Sequence, residues 1–516
     1  MTSQEHHPHV NPWIVAVAVM FGTFMEVLDT TVVNVSLPHI AGSLSSTVEE
    51  ATWALTSYLV ANAIVLPITG WLAGMLGRKR LLMLSITGFT LASFLCGLAP
   101  SLPALVVFRI LQGTAGGCLQ PLSQSIMLEA FPPHERGKAM AFWGIGIVVA
   151  PILGPVLGGW LTDSYSWRWV FYINIPVGVI SIVMTKLFIF DPPYIRRRMG
   201  GIDYWGIGML AVGIGALQIV LDKGHQEDWF ESSWISGLAI VSVICLISLV
   251  IHELLTKHPV IDLHVFRSRS YATGVFLMTI LGFVLYGSTV LLPIWLQTLQ
   301  GYPSLQAGIA MAPRGVGSLF MMPLVGLIIP KVDPRKLLAI GISIASVTLF
   351  QFSRLNLQAG YWDFFWPLII QGAGLALLFV PLTTVTMAPI PREQIGNASS
   401  IFNLMRNIGG SFGIGVTTTL LSGDQQYYFG ELGSHVSAYD PATQSMMGQL
   451  RRLFGSVPMA SDQKSLALLQ GLVERQAGLM SFVEVFRILA LLFLVLLPLL
   501  LIMKRPPRGA EPGGMH

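Results

Sequence analysis

The chain has 516 residues, of which 53% are hydrophobic and 11% are charged, whereas an ordinary soluble domain carries about 25% charged residues. This composition excludes a typical soluble protein and indicates a chain embedded in lipid. The net charge is only +4, and the sequence has no long basic face with interleaved aromatic residues, so we expect no nucleic-acid partner. Cys96, Cys118 and Cys245 each lie in an apolar run, which predicts small buried side chains rather than disulfides or metal ligands.

The N-terminal segment is short and polar, and the apolar run from Trp13 to Val33 is too long for the core of a signal peptide. We therefore predict that this run is retained as the first transmembrane helix. A bilayer core about 30 Å thick needs about 20 apolar residues per helix, which predicts fourteen spans in this sequence. Their approximate positions are 13–37, 52–74, 81–99, 103–128, 138–161, 168–190, 202–221, 235–253, 271–292, 305–330, 337–353, 363–388, 397–421 and 482–503.

Basic residues are concentrated in the predicted loops that follow even-numbered helices, for example at 78–80 and 196–198. Cytoplasmic loops carry such an excess, so we predict that these loops and both termini are cytoplasmic. The polar segment 422–481 then lies outside as one long loop. Two interpretations of this segment stay open: a solvated loop or hairpin, and a helical stretch at 465–482 that packs against an outer partner.

The two ends of the chain share a repeat of Pro and Gly residues with an offset of 255 to 260 residues. It pairs LPITGWL, which contains Gly70, with MPLVGLI, and it pairs FPPHERG with IPREQIG. Parallel six-helix repeats are typical of transporters whose halves are related by an axis along the membrane normal. We therefore predict an N-terminal half at 1–198, an inserted helix pair at 199–256 and a C-terminal half at 257–516.

The predicted first helix contains two carboxylates, Glu26 and Asp29, and Thr30 lies beside them on the same side. A charge at the bilayer centre costs about 2.5–3.5 kcal/mol, so such residues usually face a water-filled cavity or a partner. Protonation removes much of that cost. We predict the leading proton-coupling role for Asp29, and for Glu26 either a second proton site or an attraction for cationic substrates. A structural polar contact is the alternative for both.

Other polar residues within the predicted spans are candidates for the same region. Arg109 in the fourth helix cannot lose its proton and needs a carboxylate, a dipole or water nearby, and a purely structural ion pair is its alternative role. Arg314 is expected near enough to one membrane face to snorkel. The candidate substrate-cavity residues are Glu26, Thr30, Asn34, Gln112, Gln124 and Arg406.

The predicted fifth helix carries small residues every four positions, which gives a flat ridge that another helix can approach closely. Two prolines on the same stretch remove helical hydrogen bonds and bend the helix. A close-packed hinge between the halves and ordinary helix packing are two compatible interpretations. The residues of this packing motif are Gly146, Pro151, Gly154, Pro155, Gly158 and Gly159.

Several segments together resemble the major facilitator family of transporters. The run GWLAGMLGRKR at 70–80 is similar to the family's loop between helices two and three, which Gly70, Gly77, Arg78 and Lys79 represent, although Gly74 stands where an acid is usual. RILQGTAGG at 109–117 is similar to the helix-four motif, and APILGPVLGG at 150–159 to the antiporter motif of helix five. LDTTVVNVSLP at 28–38 resembles the first-helix signature of the fourteen-helix drug:proton antiporters, and the resemblance is closest to their EmrB branch.

The resemblance implies an all-α membrane protein of the major facilitator fold, with fourteen helices arranged as six, two and six. It also implies a proton-driven exporter of hydrophobic or cationic drugs that works by alternating access in the bacterial cytoplasmic (inner) membrane. It places Arg109 near the first-helix acids, where a fixed positive charge favours release of a proton. An EmrB-like chain would be the inner-membrane part of a tripartite system, with a membrane fusion protein and an outer-membrane channel as partners.

Two alternatives to drug export stay open. The same scaffold can carry an endogenous metabolite or a siderophore, because a fold does not fix a substrate. A membrane-embedded enzyme or sensor would need a metal cluster or an appended domain, and the sequence has no HExxH motif, no cysteine-rich motif and no long cytoplasmic loop. No GxxxxGK[ST] motif is present either, so we expect a proton gradient, rather than ATP or any cofactor, to supply the energy.

Overall fold

The computed structural model describes residues 11–191, 203–256, 259–437, 439–453 and 458–501. Helices and short connections make up these ranges, and no strand occurs within them. Several basic residues that set the predicted orientation lie outside the described ranges, namely Arg196, Arg197, Arg198, Lys257, Lys504 and Arg505. The predicted boundary at 198–199 also lies outside the described residues.

The helices of the N-terminal half begin and end where the local sequence favours a break. The Asn11 side chain accepts from the Trp13 amide and Pro12 opens the first helix. Pro67 lies in a break between two short helices, and Gly77 has a positive φ of 86° where one helix ends and the next begins. The helices are α1 (Pro12–Ser43), α2 (Val48–Ala51), α3 (Trp53–Val65), α4 (Thr69–Leu76), α5 (Arg78–Leu98), α6 (Leu102–Gly116), α7 (Leu119–Ala130), α8 (Arg136–Ser164), α9 (Trp169–Tyr172) and α10 (Asn174–Phe188).

The rest of the described chain consists of the inserted pair and the C-terminal half. The inserted pair is α11 (Tyr204–Lys223) and α12 (Ser233–Leu255). The C-terminal half comprises α13 (Arg269–Thr298), α14 (Ser304–Ile328), α15 (Pro334–Phe352), α16 (Tyr361–Met387), α17 (Ile395–Ser434), α18 (Pro441–Leu453) and α19 (Pro458–Val495).

Twelve helical segments within the described residues are long and apolar enough to cross a membrane, which makes the chain a multi-pass membrane protein. The bent pair α3 and α4, with a 60° angle between its parts, would be the thirteenth. The long helix α17 is not among these segments, because its sequence is rich in Gly, Ser, Thr and Asn. The all-helical prediction is therefore confirmed, and fourteen spans in a six, two and six arrangement stay a prediction.

The described part of the segment 422–481 is mostly helical, which supports the helical interpretation over a solvated loop, and its location outside stays a prediction. Helix α17 continues to Ser434, α18 follows, and α19 begins at Pro458, so the predicted helical stretch at 465–482 is part of α19. Hydropathy marks where a helix leaves apolar surroundings. It does not mark where the helix ends, because a polar helix outside a bilayer keeps its backbone hydrogen bonds.

The two halves share a hydrophobic core at the predicted cytoplasmic end. That core contains Leu81 and Met127 of the N-terminal half together with Met322, Ile395 and other residues of the C-terminal half. At the opposite end the N-terminal half has a separate core, which includes Val33, Ile40, Leu105, Trp167 and Phe171. The halves are thus packed together more extensively at one end than at the other.

Helix α11 of the inserted pair contacts both halves. An added Cβ at Gly215 would lie 3.3 Å from Ile64 of α3, and Gln218 Nε2 donates to Ser411 Oγ of α17 at 2.9 Å. Helix α12 packs on α11, where Ser242 donates to the Gly213 carbonyl at 2.8 Å, and most of its surface is exposed. The pair therefore lies beside α3 and α17 at the side of the bundle.

Candidate functional site

The Asp29 carboxylate lies at the centre of a buried polar cluster. Arg109 Nη1 donates to Asp29 Oδ2 at 2.5 Å, and the Gln112 and Asn174 amides donate to Asp29 Oδ1 at 3.0 and 2.8 Å. Both members of the ion pair have fully buried side chains. Helices α1, α6 and α10 thus meet at one carboxylate, so its charge is balanced by a fixed cation and by two amide donors.

Arg109 is fixed by its other contacts as well. Its Nε donates to the Ala54 carbonyl at 2.9 Å, and Nη1 also contacts Gln112 Oε1 at 2.8 Å. The guanidinium carbon lies 4.2 Å from the centre of the Tyr58 ring, within range of a cation–π interaction. The expectation that Arg109 lies near the first-helix acids is borne out by this geometry. The functional role of the pair stays a prediction.

Glu26 lies one helical turn before Asp29 but has different partners. Asn62 Nδ2 donates to one carboxylate oxygen at 3.0 Å, and Gln120 Nε2 donates to the other at 2.6 Å. Glu26 is 4% exposed, and no ion pair of it occurs within the described residues. Glu26 is therefore stabilised by neutral donors, whereas Asp29 is stabilised by a cation.

The same amide of Gln120 connects this cluster to the C-terminal half. Arg406 Nη2 of α17 donates to Gln120 Oε1, and one helical turn away Asn403 Nδ2 donates to Gln124 Oε1 at 2.5 Å. The chain Glu26, Gln120, Arg406 joins α1, α7 and α17, and the Arg406 atoms Nε and Nη1 are buried with no partner in the described structure. The carboxylate of one half is thus linked to a cation of the other through one side chain.

The remaining candidate residues lie at the edge of this cluster. Thr30 is half-buried and donates to the Val27 carbonyl at 2.8 Å. Asn34 is exposed. The proposed cavity roles of both stay predictions. Asn62, Gln120 and Asn174 were not predicted from the sequence, and the available signal was an isolated amide within an otherwise apolar helix.

Arg314 does not snorkel, so that prediction was wrong. Its side chain is buried at 7% exposure and donates to Thr289 Oγ1 at 2.8 Å and to Ser288 Oγ at 3.5 Å. The residue is the eleventh of the 25 residues of α14, about 15 Å along the axis from the helix start. The predicted span was correct to within a few residues, but the position of Arg314 in it is central.

Comparison with known proteins identifies the family. The model of the Major Facilitator Superfamily matches residues 19–414 of this chain. This chain belongs to the Major Facilitator Superfamily. Its likeness to the EmrB branch of that superfamily extends over nearly the whole sequence.

Three curated relatives show this extent. The multidrug export protein EmrB of Haemophilus influenzae is 39% identical over 501 residues, 96% of each chain. EmrB of Escherichia coli K12 is 39% identical over 504 residues, 97% of each chain. The fatty acid resistance protein FarB of Neisseria gonorrhoeae is 38% identical over 501 residues, 97% of each chain. The chain is thus an EmrB-like member of the superfamily, and such members are transporters rather than enzymes.

Two solved structures share the fold at low sequence identity. The human organic anion transporter MFSD10 has a TM-score of 0.59 and 14% identity, with 95% of this chain and 100% of that chain covered. The proton:xylose symporter XylE has a TM-score of 0.59 and 17% identity, with 94% and 96% covered. At these identities the comparison establishes the superfamily fold alone.

In this superfamily member the glycine ridge of α8 packs directly on α1. An added Cβ at Gly154 would overlap Thr31, and one at Gly158 would lie 2.9 Å from the Val32 carbonyl. Gly146 faces Met20, whereas Gly159 has only Leu305, at 3.9 Å, as a neighbour. Gly154 and Gly158 thus contact α1 just after Asp29, and Gly159 is not part of this close packing of α8 on α1.

Polar contacts surround the break between α4 and α5 in this superfamily member. Arg78 forms an ion pair with Glu129 of α7, and the Lys79 amide donates to Asp191 Oδ1 at 2.8 Å. The Gly70 amide donates to Ser400 Oγ of α17 at 3.1 Å, and an added Cβ at Gly70 would lie 2.6 Å from the Asn397 nitrogen. The Gly70 contacts attach the N-terminal half to α17 at the predicted cytoplasmic end, whereas those of Arg78 and Lys79 lie within the N-terminal half.

Gly74 stands in open space, since an added Cβ there would meet no atom within 4 Å. The Asp191 carboxylate, which follows α10, instead lies against Gly77 and accepts from the Lys79 amide. The acid missing from position 74 is therefore not replaced by another residue in the same place. Asp191 stabilises the start of α5 from a different element.

Proposed function

We propose that this chain is a proton-coupled antiporter that exports hydrophobic or cationic toxic compounds across the bacterial inner membrane by alternating access. The observation that carries the proposal is the pair of buried carboxylates in α1, one joined to Arg109 and one linked to Arg406 through Gln120. Buried acids in membrane helices mark ion and substrate pathways. The multidrug export names of the relatives from Haemophilus influenzae and Escherichia coli support drugs as the substrates.

Protonation of either carboxylate changes a different contact. A proton on Asp29 removes the negative charge opposite Arg109, so the buried pair loses its electrostatic attraction and the helices α1 and α6 are held less strongly. A protonated Glu26 is a weaker hydrogen-bond acceptor for the Gln120 side chain, so the link from Gln120 to Arg406 of the other half is also weakened. Each proton thus shifts the balance between arrangements of the two halves.

A bound cation competes with the proton at the same site. Its positive charge is attracted to Glu26, which has no ion-pair partner in the described structure, and favours the ionised carboxylate. Exchange of proton for substrate follows from that competition. The inward movement of one charge across the membrane supplies about 2.3 kcal/mol per 100 mV.

The described arrangement fits one state of such a cycle. The shared core and the contact between Gly70 and Ser400 close the predicted cytoplasmic end, whereas the N-terminal half keeps its own core at the other end. Fourteen spans with both termini cytoplasmic are part of the proposal, with α3 and α4 as one bent span and α17 as another. The inserted pair α11 and α12 separates the two six-helix halves.

A tripartite assembly is a further part of the proposal. Helix α19 has 38 residues, about 57 Å at 1.5 Å per residue, which exceeds the thickness of a bilayer core of about 30 Å. Its polar first half and α18 therefore extend beyond the membrane, on the side that the orientation assigns to the periplasm. That projection is the surface that would contact a membrane fusion protein, itself joined to an outer-membrane channel.

Transport into inverted vesicles tests the proposed function. With an imposed proton gradient, the parent is expected to accumulate a lipophilic cation such as ethidium, and collapse of the gradient is expected to release it. Asp29→Asn is expected to abolish accumulation, and Glu26→Gln to reduce it at least tenfold, while both proteins remain folded. Lys331→Gln, which removes one exposed charge after α14, is the matched control. Accumulation by both acid variants equal to that of the parent would overturn the proposal.

A further inference from the structure

The C-terminal half contains a buried cation, Arg314, that has no ion-pair partner among the described residues. Arg314 donates to two hydroxyl oxygens, Thr289 Oγ1 and Ser288 Oγ, and no carboxylate within the described residues lies at ion-pair distance from it. Both hydroxyls also donate to the Leu285 carbonyl, at 2.6 and 3.1 Å, so towards Arg314 they act only as acceptors. The guanidinium is thus hydrogen-bonded but keeps its full charge.

The helices around Arg314 contain few acids. Helices α13, α14 and α15 contain no Asp or Glu, α16 has only Asp363 in its first turn, and α17 has Asp424 and Glu431 towards its C-terminal end. Within the described residues none of these acids forms an ion pair with Arg314. The other buried arginines in the described spans of the N-terminal half each have a carboxylate, Asp29 for Arg109 and Glu129 for Arg78. An unbalanced buried ion costs several kcal/mol, so an anionic partner from outside would be strongly stabilised.

The position of Arg314 places it next to the contact between the halves. The following residue, Gly315, faces Ile152 of α8 so closely that an added Cβ would overlap it. Two turns along the same helix, Met322 contacts Gly144 of α8, and Trp143 stacks on Phe379 with ring centres 5.8 Å apart. Arg314 is therefore one residue from the contact between α14 and α8, and a ligand bound to it would lie beside the boundary between the halves.

We propose that Arg314, with Ser288 and Thr289, forms an anion subsite that binds the carboxylate of amphipathic organic acids. The planar guanidinium offers paired N–H donors in the geometry that a carboxylate accepts. The inference rests on the proposed function, and it adds to the cation-attracting acids of α1 a second subsite of opposite charge. The transporter then accepts organic acids as well as cations, with each head group bound in a different half.

Two pyrene probes of equal body and opposite charge test the subsite, namely 1-pyrenebutyrate and its trimethylammonium counterpart. Binding to the full chain in lipid nanodiscs is followed by fluorescence, with empty nanodiscs subtracted. Arg314→Gln is expected to bind pyrenebutyrate about tenfold to a hundredfold more weakly than the parent and to bind the cation unchanged. Arg314→Lys is expected to retain intermediate affinity for the acid, and Lys331→Gln parental affinity for both probes.

Transport by the same proteins separates this inference from the proposed function. Export of the cation probe by Arg314→Gln, with loss of acid export, supports the subsite. Equal affinity of parent and Arg314→Gln for pyrenebutyrate would overturn it, as would an equal loss of both probes. A parent that binds the acid through Arg314 but moves neither probe against a gradient would refute the antiport proposal and leave the subsite standing.

Discussion

The two halves of this transporter differ in the sign and the partners of their buried charged side chains. The N-terminal half holds Asp29 with Arg109, and Glu129 with Arg78, and it adds Glu26 as an acid bound only by amides. The buried charged residues of the described C-terminal half are Arg314 and Arg406, and both are cations. The difference lies in the chemistry of the buried side chains. The N-terminal half thus contains buried carboxylates together with arginines, whereas the buried charges of the described C-terminal half are arginines only.

The largest expected effect is the loss of stability on removing Arg109, and it should not be matched by removing Arg314. Arg109→Met leaves Asp29 buried without its cation, and breaking such a pair costs about 3–5 kcal/mol. Arg314→Met removes a cation that has no anion, so the free energy of unfolding should stay within about 1 kcal/mol of the parent or rise. Unfolding by heat and by dodecyl sulfate, with parent and variants in the same detergent, measures the free energy of unfolding of each protein. Equal destabilisation by the two substitutions would remove the contrast between the halves.

The sequence predicts much of this difference but not its partners. Glu26, Asp29 and Arg109 stand out because charge is rare in apolar spans, and the repeat of Pro and Gly predicts two related halves. Gln120 could not be assigned, because the sequence does not show that one amide meets both Glu26 and Arg406. Arg314 was placed wrongly, since hydropathy locates a span but not the depth of one residue in it. Helix α18 and the extension of α17 to Ser434 were not predicted, because their polar sequences give no hydropathy signal, whereas a helical stretch at 465–482 was one of two open interpretations.

An intermediate effect is expected where the N-terminal half packs on itself around Asp29. Gly154→Ala would place a methyl group on Thr31, and overpacking of this kind costs about 1–3 kcal/mol. The displacement of α1 is also expected to lower proton-driven transport several-fold. Gly159→Ala, whose methyl group would have only Leu305 at 3.9 Å, is the matched control. If the two variants have equal melting temperatures and equal vesicle transport, the packing of Gly154 on Thr31 does not position α1.

The link between the halves is expected to affect stability no more than the packing of α8 on α1 does. Gln120→Met removes one donor from Glu26 and the acceptor for Arg406, which should lower the free energy of unfolding by about 1–3 kcal/mol. Gln218→Met, which removes the hydrogen bonds between α11 and Ser411 of α17, is the control with the same change in shape. We expect the rate of transport at a given proton gradient to fall only for Gln120→Met. A loss of transport of the same size in Gln218→Met would show that the link through Gln120 has no special role in coupling.

Proton release on substrate binding tests the coupling at the α1 acids most directly. Purified protein in weakly buffered detergent solution is mixed with tetraphenylphosphonium, and the released protons are followed with a pH-sensitive dye. The parent should release protons in proportion to bound cation, and the double variant Glu26→Gln with Asp29→Asn should release none. Release by the double variant equal to that of the parent, or cation binding by the parent without any release, would contradict competition between proton and substrate at Glu26 and Asp29.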